Sequence, residues 1–320
     1  MKIFFYLLVA LLVASPIQAA TNIASCDDLV SIPDRSNASW VLVNDIDCQG
    51  YQIPTNKTFF GHLNGDGHAI RHLTIVGNEP LGYPGLFKKM VNASVSNIVF
   101  EDAILFVGEL DRYVKYAGLI AATMTDSKLE NVTLVNSSIS VDSVEYGVGS
   151  LIGHVYKSTV SGVSVENTQI QMTDYARSLG GVFGQVISSK LNAITVKGNS
   201  VDMMHFYDRD NAFGLLSSQL HDVLLDGVLV VDNFVNEKDL FYSLKLFQKV
   251  YAGIVTARLQ GENNLTDLVL LSNVHNGSLY PLADYIQKGN RDVNVVRDLV
   301  TDEPLPLYPQ KHDGKILFLD

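Results

Sequence analysis

Basic residues are scarce in this chain, and their scarcity argues against a sequence-independent nucleic-acid binder. The 320 residues include 23 basic and 34 acidic side chains, which gives a formal net charge of -11. Binding to phosphate backbones requires clustered lysine and arginine. Long apolar runs are also missing: after the N-terminus none approaches the roughly 20 residues of a membrane-spanning helix. Apolar residues still make up 47% of the chain, which suffices for a large folded core.

Motifs for catalysis or metal binding are missing as well. The sequence has no His-Glu-x-x-His zinc motif, no Gly-x-Ser-x-Gly nucleophile turn and no phosphate-binding loop, and its 8 histidines lack ligand spacing. The acidic pair Asp45 and Asp47 and the segment 64–67 lack the further oxygen ligands of a calcium site, so they are interpreted as turns. His68 is interpreted as a structural neighbour of such a turn. We therefore predict no metal, no cofactor and no enzymatic activity.

The N-terminus has the features of a secretory signal. Met1 and Lys2 precede an apolar stretch, and small residues near Ala19 and Ala20 suit cleavage. We therefore assign residues 1–20 to a signal peptide. The alternative, a single membrane anchor, would need a longer apolar run. The expected location is secreted, periplasmic or at the cell surface.

Only two cysteines are present, Cys26 and Cys48, and export would place them where a disulfide persists. We predict that they are bonded to each other and close a loop of about twenty residues, which adds about 3 kcal/mol. The alternative is that 23–26 is a lipobox and that Cys26 is acylated, although Thr21 and Asn22 separate it from the apolar stretch. Ser25 and Asp28 have the spacing of a helix start.

A degenerate repeat runs through the body of the chain. Each copy has three apolar positions in the pattern i, i+3, i+5, and turn-forming residues surround it. Copies at intervals of about thirty residues indicate a repeat architecture. The seven copies begin at Ile70, Val95, Leu129, Val160, Leu191, Leu220 and Leu265.

Two further short strands accompany each copy. One follows it, and its inward residues are predicted to be Ile104, Ile139, Ile170, Val201 and Val230. The other precedes it, at Gly-Leu-type sequences such as 85–87 and 118–120. Three strands per coil in register predict an all-β parallel β-helix, or β-solenoid, of about seven coils. A seven-strand meander or sandwich is the alternative.

The chain is divided accordingly into four parts. Residues 21–60 form an N-terminal cap and first coil, because an open strand edge invites aggregation. Residues 61–283 form the parallel β-helix, and residues 284–320 form a C-terminal cap or tail. The segment 316–319 is apolar and is predicted to add one edge strand.

The Gly-Leu-type sequences and the leader at 40–48 and 60–70 resemble the GLUG-motif repeat proteins, which are secreted and surface proteins of bacteria. The resemblance covers about residues 40–275, and Lys88 and Ala121 replace the final glycine in two copies. It implies a right-handed parallel β-helix and a surface, adhesive or passenger role. It implies no catalytic residue.

The variable insertions share tyrosines beside charged side chains, and equivalent insertions stack on one side of a solenoid. Aromatic rings cover the apolar faces of sugars while charged groups bond hydroxyls or amides. We therefore predict a site that binds an extracellular glycan or a host or envelope protein. Its residues are Tyr113, Tyr116, Tyr146, Tyr175, Tyr207, Tyr242, Asp174 and Asp208.

Three functions stay open at this point. The first is an exported, non-enzymatic and monomeric binding or adhesion protein that uses these residues. The second is a β-helix polysaccharide lyase or hydrolase, for which Asp174, Asp208 and Asp210 are the best acidic set. The third is a structural surface spacer, in which the tyrosines merely cover the outside of the coils.

Overall fold

The structure is a computed structural model. It describes residues 19–53, 56–77, 82–108, 114–142, 144–172, 178–204, 211–238, 250–271, 273–275, 283–286, 294–297, 299–301 and 316–319. Neighbouring strands pair in parallel, coil on coil, from the N-terminal end to the C-terminal end. The predicted all-β parallel β-solenoid is therefore confirmed. The predicted signal peptide, apart from Ala19 and Ala20, lies outside the described residues.

The described strands form four sheets, which we number in the order that the chain visits them within a coil. The first sheet contains 14 described strands: Thr21–Ile23, Ser39–Leu42, Ile46–Asp47, His62–Asn64, Ala69–Arg71, Ser94–Glu101, Lys128–Val135, Thr159–Glu166, Lys190–Lys197, Leu224–Val231, Asn263–Leu271, Asn294–Arg297, Leu299–Thr301 and Ile316–Leu319. The second contains 7: Thr74–Gly77, Ile104–Val107, Ser138–Val141, Gln169–Met172, Ser200–Met204, Phe234–Lys238 and Val274–His275.

The other two sheets complete each coil. The third sheet contains 5 described strands: Val114–Ala117, Val144–Gly149, Ser178–Gly180, Asn211–Gly214 and Val250–Gly253. The fourth contains 8: Thr58–Phe59, Phe87–Val91, Ala121–Thr125, Ile152–Tyr156, Phe183–Ile187, Ser217–His221, Thr256–Gln260 and Ala283–Ile286. Within the described ranges, coils with all four strands number five, and incomplete coils flank them. The prediction was seven coils of three strands; it merged the third-sheet and fourth-sheet strands into one, at sequences that include 212–214 of the third sheet.

The core consists of apolar columns along the solenoid axis. In the first sheet, Val95 pairs with Leu129, and Leu129 pairs with Val160. In each long strand of this sheet, from Ser94–Glu101 to Asn263–Leu271, three apolar residues at the spacing i, i+3, i+5 face inward. Each of them is no more than 2% exposed. Each buried aliphatic side chain contributes about 1.5–3 kcal/mol relative to an exposed one. The stacking of like residues is therefore the main source of stability.

Two of the seven predicted copies are out of register. Val95 pairs with Leu63 rather than Ile70, which lies instead beside Phe100. Leu191 pairs with Leu225, whereas Leu220 belongs to the fourth sheet. The apolar spacing i, i+3, i+5 also occurs by chance across a corner, where one strand ends and the next begins. The five copies that start at Val95, Leu129, Val160, Leu191 and Leu265 are in register.

Two inward assignments in the second sheet are also wrong. Ile104 faces outward and is 43% exposed, while the next residue, Leu105, pairs with Ile139 and is buried. Because side chains alternate along a strand, a shift of one residue reverses the face. Val230 is buried, but it belongs to the long first-sheet strand. The inward residue of the corresponding second-sheet strand is Val235.

Left-handed residues turn the chain at three corners of every coil. Their φ angles lie between 48° and 68°, a region that favours asparagine, aspartate and glycine. The first corner bends the long strand at Asn97, Asn131, Gly162, Ala193, Gly227 and Asp267. The second follows that strand at His72, Asp102, Asn136, Asn167, Gly198 and Asp232. The third follows the fourth-sheet strand at Asn92, Asp126, Lys157, Ser188, Asp222 and Gly261.

Buried polar ladders lie immediately after the second and third corners. Ser127 Oγ accepts from Ala93 N at 3.1 Å, and Ser158 Oγ accepts from Ser127 N at the same distance. In the other ladder, Asn199 Oδ1 accepts from Thr168 N at 2.9 Å, and Asn199 Nδ2 donates to Asn233 Oδ1 at 3.0 Å. These side chains satisfy backbone groups that the corners remove from the sheets, which burial otherwise makes costly.

A short helix and a disulfide close the N-terminal end. The helix, Cys26–Ser31, begins at Ser25, whose side chain forms a capping box with Asp28 as the sequence predicted. Cys26 is bonded to Cys48 across a Cα–Cα distance of 5.2 Å, which confirms the predicted disulfide. Leu29 of the helix is buried in the end of the core. At the other end, Ile316–Leu319 pairs with Asn294–Arg297, so the predicted edge strand is present.

The four-part division of the chain stays a prediction. Within the described ranges, the one helix spans six residues and is too short to cross a membrane.

Candidate functional site

Tyrosines from successive coils stack on the outside of the solenoid. Tyr116 lies on the third-sheet strand Val114–Ala117 and Tyr146 on the next, Val144–Gly149. Their ring centroids are 5.5 Å apart, with the planes tilted by 37°. Tyr83, from the preceding coil, stacks on the other side of Tyr116 at 6.4 Å. The sheet spacing of about 4.8 Å brings side chains at equivalent positions into contact in this way.

Local backbone structure fixes the positions of these three rings. Backbone bonds from Lys115 N to Gly82 O at 3.1 Å and from Gly118 N to Pro84 O at 3.2 Å hold the Tyr83 segment against the next coil. The pairing of the two third-sheet strands shifts between Val114 and Tyr116, and Tyr116 lies opposite Gly147. A Cβ at Gly147 would be 3.0 Å from Gly153 O and 3.4 Å from Tyr116 Cδ1. Glycine therefore leaves room for the ring.

The fourth sheet extends this aromatic surface. His154 and Tyr156 face outward because they alternate with the buried residues Ile152, Gly153 and Val155. The His154 ring centroid is 5.0 Å from that of Tyr116 and 6.3 Å from that of Tyr156. We call the set Tyr83, Tyr116, Tyr146, His154 and Tyr156 the aromatic strip. It crosses three coils and two sheets.

Burial changes the pKa of two groups in the aromatic strip, Tyr116 and His154. Burial is the main cause that raises the pKa of the Tyr116 hydroxyl, with smaller contributions from Tyr146, Tyr83 and Glu145. Burial also lowers the pKa of His154, so its imidazole is uncharged at neutral pH. Neutral rings offer faces to apolar C–H groups, and the Tyr hydroxyls and imidazole nitrogens offer hydrogen bonds at their edges.

Lysines lie at both ends of the aromatic strip. Lys88 Nζ is 5.4 Å and Lys89 Nζ is 5.6 Å from the centroid of the Tyr83 ring. At the other end, Lys157 Nζ is 5.1 Å from the centroid of Tyr156. These distances are within the range of cation–π attraction, which favours an ammonium group over a ring face.

Polar side chains line the strip along the fourth sheet. The outward position of His154 is occupied in neighbouring coils by Lys89, Thr123, Gln185 and Gln219. Gln185 Nε2 donates to the backbone oxygen of Tyr146 at 2.9 Å, which fixes its amide beside the rings. The surface therefore combines flat apolar faces with amide and hydroxyl groups.

The structure brings together two of the eight predicted binding residues, Tyr116 and Tyr146. The other six, Tyr113, Tyr175, Tyr207, Tyr242, Asp174 and Asp208, lie outside the described residues. Sequence reasoning missed Tyr83, His154 and Tyr156. The latter two could have been found from the repeat, because they are the outward residues of a Gly-Leu-type strand.

The N-terminal acids have protein partners. Asp45 accepts from Ala69 N at 3.0 Å and from Arg71 Nη2 at 2.9 Å, and its Oδ1 lies 3.2 Å from His68 Nδ1. Asp47 Oδ1 accepts from Gln49 N at 2.9 Å. These contacts lower the pKa of Asp45, with the Ala69 N–H as the largest cause.

His72 adds to this network, because its Nδ1 is 2.8 Å from Asp47 Oδ1. This contact is the largest cause that lowers the pKa of Asp47. Throughout the described ranges, no three histidine, cysteine or acidic side chains form a group that could hold a metal ion.

No protein-family model matches the chain, and no curated protein does. Among solved structures, a candidate immunoglobulin A1 protease from Bacteroides ovatus is similar at 12% identity and a TM-score of 0.45, over 74% of this chain and 83% of that one. The surface protein and adhesin PfbA of Streptococcus pneumoniae is similar at 10% identity and a TM-score of 0.26, over 92% and 90% of the two chains. A second PfbA structure gives 11% and 0.25, over 82% and 80%. The likeness to GLUG-motif proteins stays a prediction from the sequence.

Proposed function

We propose that this chain is an exported, non-enzymatic β-solenoid that binds a glycan through the aromatic strip. The observation that carries the proposal is the continuous contact of Tyr83, Tyr116, Tyr146 and His154 on the outside of the coils, with centroid distances of 5.0–6.4 Å. Aromatic rings pack against the C–H surfaces of sugars, and the neighbouring amides bond hydroxyl groups.

A glycan fits this position better than an extended polypeptide does. Polypeptides often bind by adding a strand to an exposed sheet edge. At the strip, the strands Ala121–Thr125 and Ile152–Tyr156 have parallel neighbours on both sides, so their backbone groups are already used. Recognition there depends on side chains. The disulfide Cys26–Cys48 supports export, because such bonds persist in oxidising compartments.

The two alternatives predict different results. An enzyme would need a pair of carboxyl groups about 5–10 Å apart in a groove. The candidates Asp174, Asp208 and Asp210 lie outside the described residues. A spacer would bind no ligand through its tyrosines. A binding protein retains its glycan uncleaved and loses affinity when the rings are removed.

The test is a glycan array on the full chain, with the affinities for its hits measured for the variant Tyr83→Ala/Tyr146→Ala. Loss of two stacking faces is expected to weaken binding roughly tenfold, at about 0.5–1.5 kcal/mol per ring contact. The control is Phe106→Ala, which removes an outward aromatic residue, 44% exposed, from the second sheet.

Unchanged glycan affinity in the double Tyr variant would contradict the proposal and favour the spacer. Shortened glycans recovered after incubation would favour the enzyme.

A further inference from the structure

The lysines at the strip distinguish it from a surface for neutral sugars. The chain has a formal net charge of -11, yet the aromatic strip carries Lys88 and Lys89 at one end and Lys157 at the other. Lys89 and Lys157 are exposed, and Lys88 is half-buried. A local group of cations in an acidic protein creates a site for anions that the overall charge does not provide.

These ammonium groups have aromatic rings, and not carboxylates, as their described side-chain neighbours. In the described part of the chain, none of the three forms an ion pair with a carboxylate. Each lies instead over a tyrosine ring, where cation–π attraction holds it near the edge of the strip. Ammonium groups placed in this way lose less conformational entropy when a carboxylate or sulfate binds them. Charge-assisted hydrogen bonds then add affinity to the stacking of rings.

The number of cations also limits the ligand. Binding a nucleic acid strand requires a basic groove that follows many successive phosphates. Three lysines at the two ends of a short strip suit an oligosaccharide with a few acidic groups. Between them lie His154, Thr123 and Gln185, whose polar side chains suit the neutral hydroxyls of the same chain.

We propose that the ligand of the aromatic strip is an anionic oligosaccharide. Its carboxylate or sulfate groups bind Lys88 and Lys89 at one end and Lys157 at the other, while its sugar rings pack against the aromatic side chains between them. This inference rests on the proposed function and adds the chemical class of the glycan.

The test compares two triple variants of the full chain that lose the same charge. Lys88→Gln/Lys89→Gln/Lys157→Gln removes the lysines of the strip. Lys128→Gln/Lys190→Gln/Lys197→Gln removes three exposed lysines of the first sheet. The probes are a sulfated glycosaminoglycan oligosaccharide and its desulfated form, together with a uronic-acid oligosaccharide and its carboxyl-reduced form. Affinities are measured by calorimetry at two salt concentrations.

The expected result has three parts. Each anionic probe binds roughly tenfold or more tightly than its neutral form, because charge-assisted bonds are lost from the latter. The strip variant loses this preference, and the first-sheet variant keeps it. Binding of the anionic probe weakens as salt rises, because exposed charges are screened.

Two outcomes separate this inference from the proposed function. If both forms bind equally and only Tyr83→Ala/Tyr146→Ala weakens them, the anionic ligand is wrong and the glycan-binding function stands. If no probe binds and an acidic polypeptide binds through the same lysines regardless of the tyrosines, both proposals are overturned. Preference for the sulfated over the uronic probe, or the reverse, identifies the acidic group.

Discussion

The N-terminal end and the middle coils of the solenoid are held together in different ways. In the end region, residues 21–72, a capped helix, a disulfide and an ion-pair network around Arg71 connect segments that follow no regular repeat. In the middle, residues 94–231, apolar columns and buried Ser and Asn ladders recur from coil to coil. A middle coil pairs with described coils on both of its faces, whereas the first described strand, Thr21–Ile23, pairs with a described strand on one side. Specific cross-links therefore stabilise the place where repetition stops.

Removal of the disulfide should have the largest effect on this contrast. The two cysteines are separated by 22 positions in the sequence, and their disulfide closes the loop between them. The variant Cys26→Ser/Cys48→Ser opens this loop, which lowers the free energy of unfolding by about 3 kcal/mol. Because the bond acts at one end, limited proteolysis is expected to cut first within residues 21–60. Denaturant unfolding measures the total loss, and mass spectrometry of the fragments locates it. First cleavage within the middle coils would contradict this picture of the end.

Interruption of a buried ladder should have an intermediate effect in the middle coils. Asn199→Ala removes the side-chain partner of Thr168 N and Val165 O, at a cost of about 1–3 kcal/mol, while Asn233 Oδ1 keeps the backbone N–H of residue 199. The control Asn192→Ala removes an exposed asparagine in the same coil. Urea unfolding of both variants measures the difference. Equal midpoints would mean that the ladder adds no stability.

The ion pairs of the end region should have the smallest effect, and it should depend on pH. Contacts with Ala69 N and Arg71 lower the pKa of Asp45 in the folded protein. Its contribution to stability is therefore present above the ordinary carboxyl pKa of about 3.9 and disappears as the pH falls through the folded value. Asp45→Asn should destabilise the protein at pH 7, and the difference from the wild type should shrink as the pH falls below the ordinary carboxyl pKa. Urea midpoints across this range measure the effect.

Asp66→Asn, at an exposed turn nearby, is the matched control for this experiment. A loss of stability in Asp45→Asn that persists unchanged at acid pH would show that the hydrogen-bonding pattern of the side chain matters, and not its charge.

Much of the fold could be predicted from the sequence because the repeat combines two independent signals. Alternation of apolar residues indicated half-buried strands, and turn residues such as Asn97 and Asn131 indicated corners. The register of two copies was wrong because alternation is local: Leu220 and Leu225 both suit an inward position. Only the pairing across coils decides between them, with Leu225 opposite Leu191. The disulfide was predictable because the sequence contains no other cysteine.

Less of the candidate site could be predicted. Tyr116 and Tyr146 were found because they share a composition with the other insertions. His154 and Tyr156 were missed because they lie in a strand whose apolar residues drew attention to its inward face. The contact of His154 with Tyr116 depends on the angle between the third and fourth sheets, which sequence spacing does not encode.

The equal register of the coils has an evolutionary consequence. Leu129, Val160 and Leu191 occupy one column at steps of 31 residues, and each coil touches only the one above and the one below. A gene duplication or deletion of one such unit preserves every contact except those at the new junction. The length of the rod, and with it the number of rings it can display, is therefore free to vary between descendants without a change of architecture.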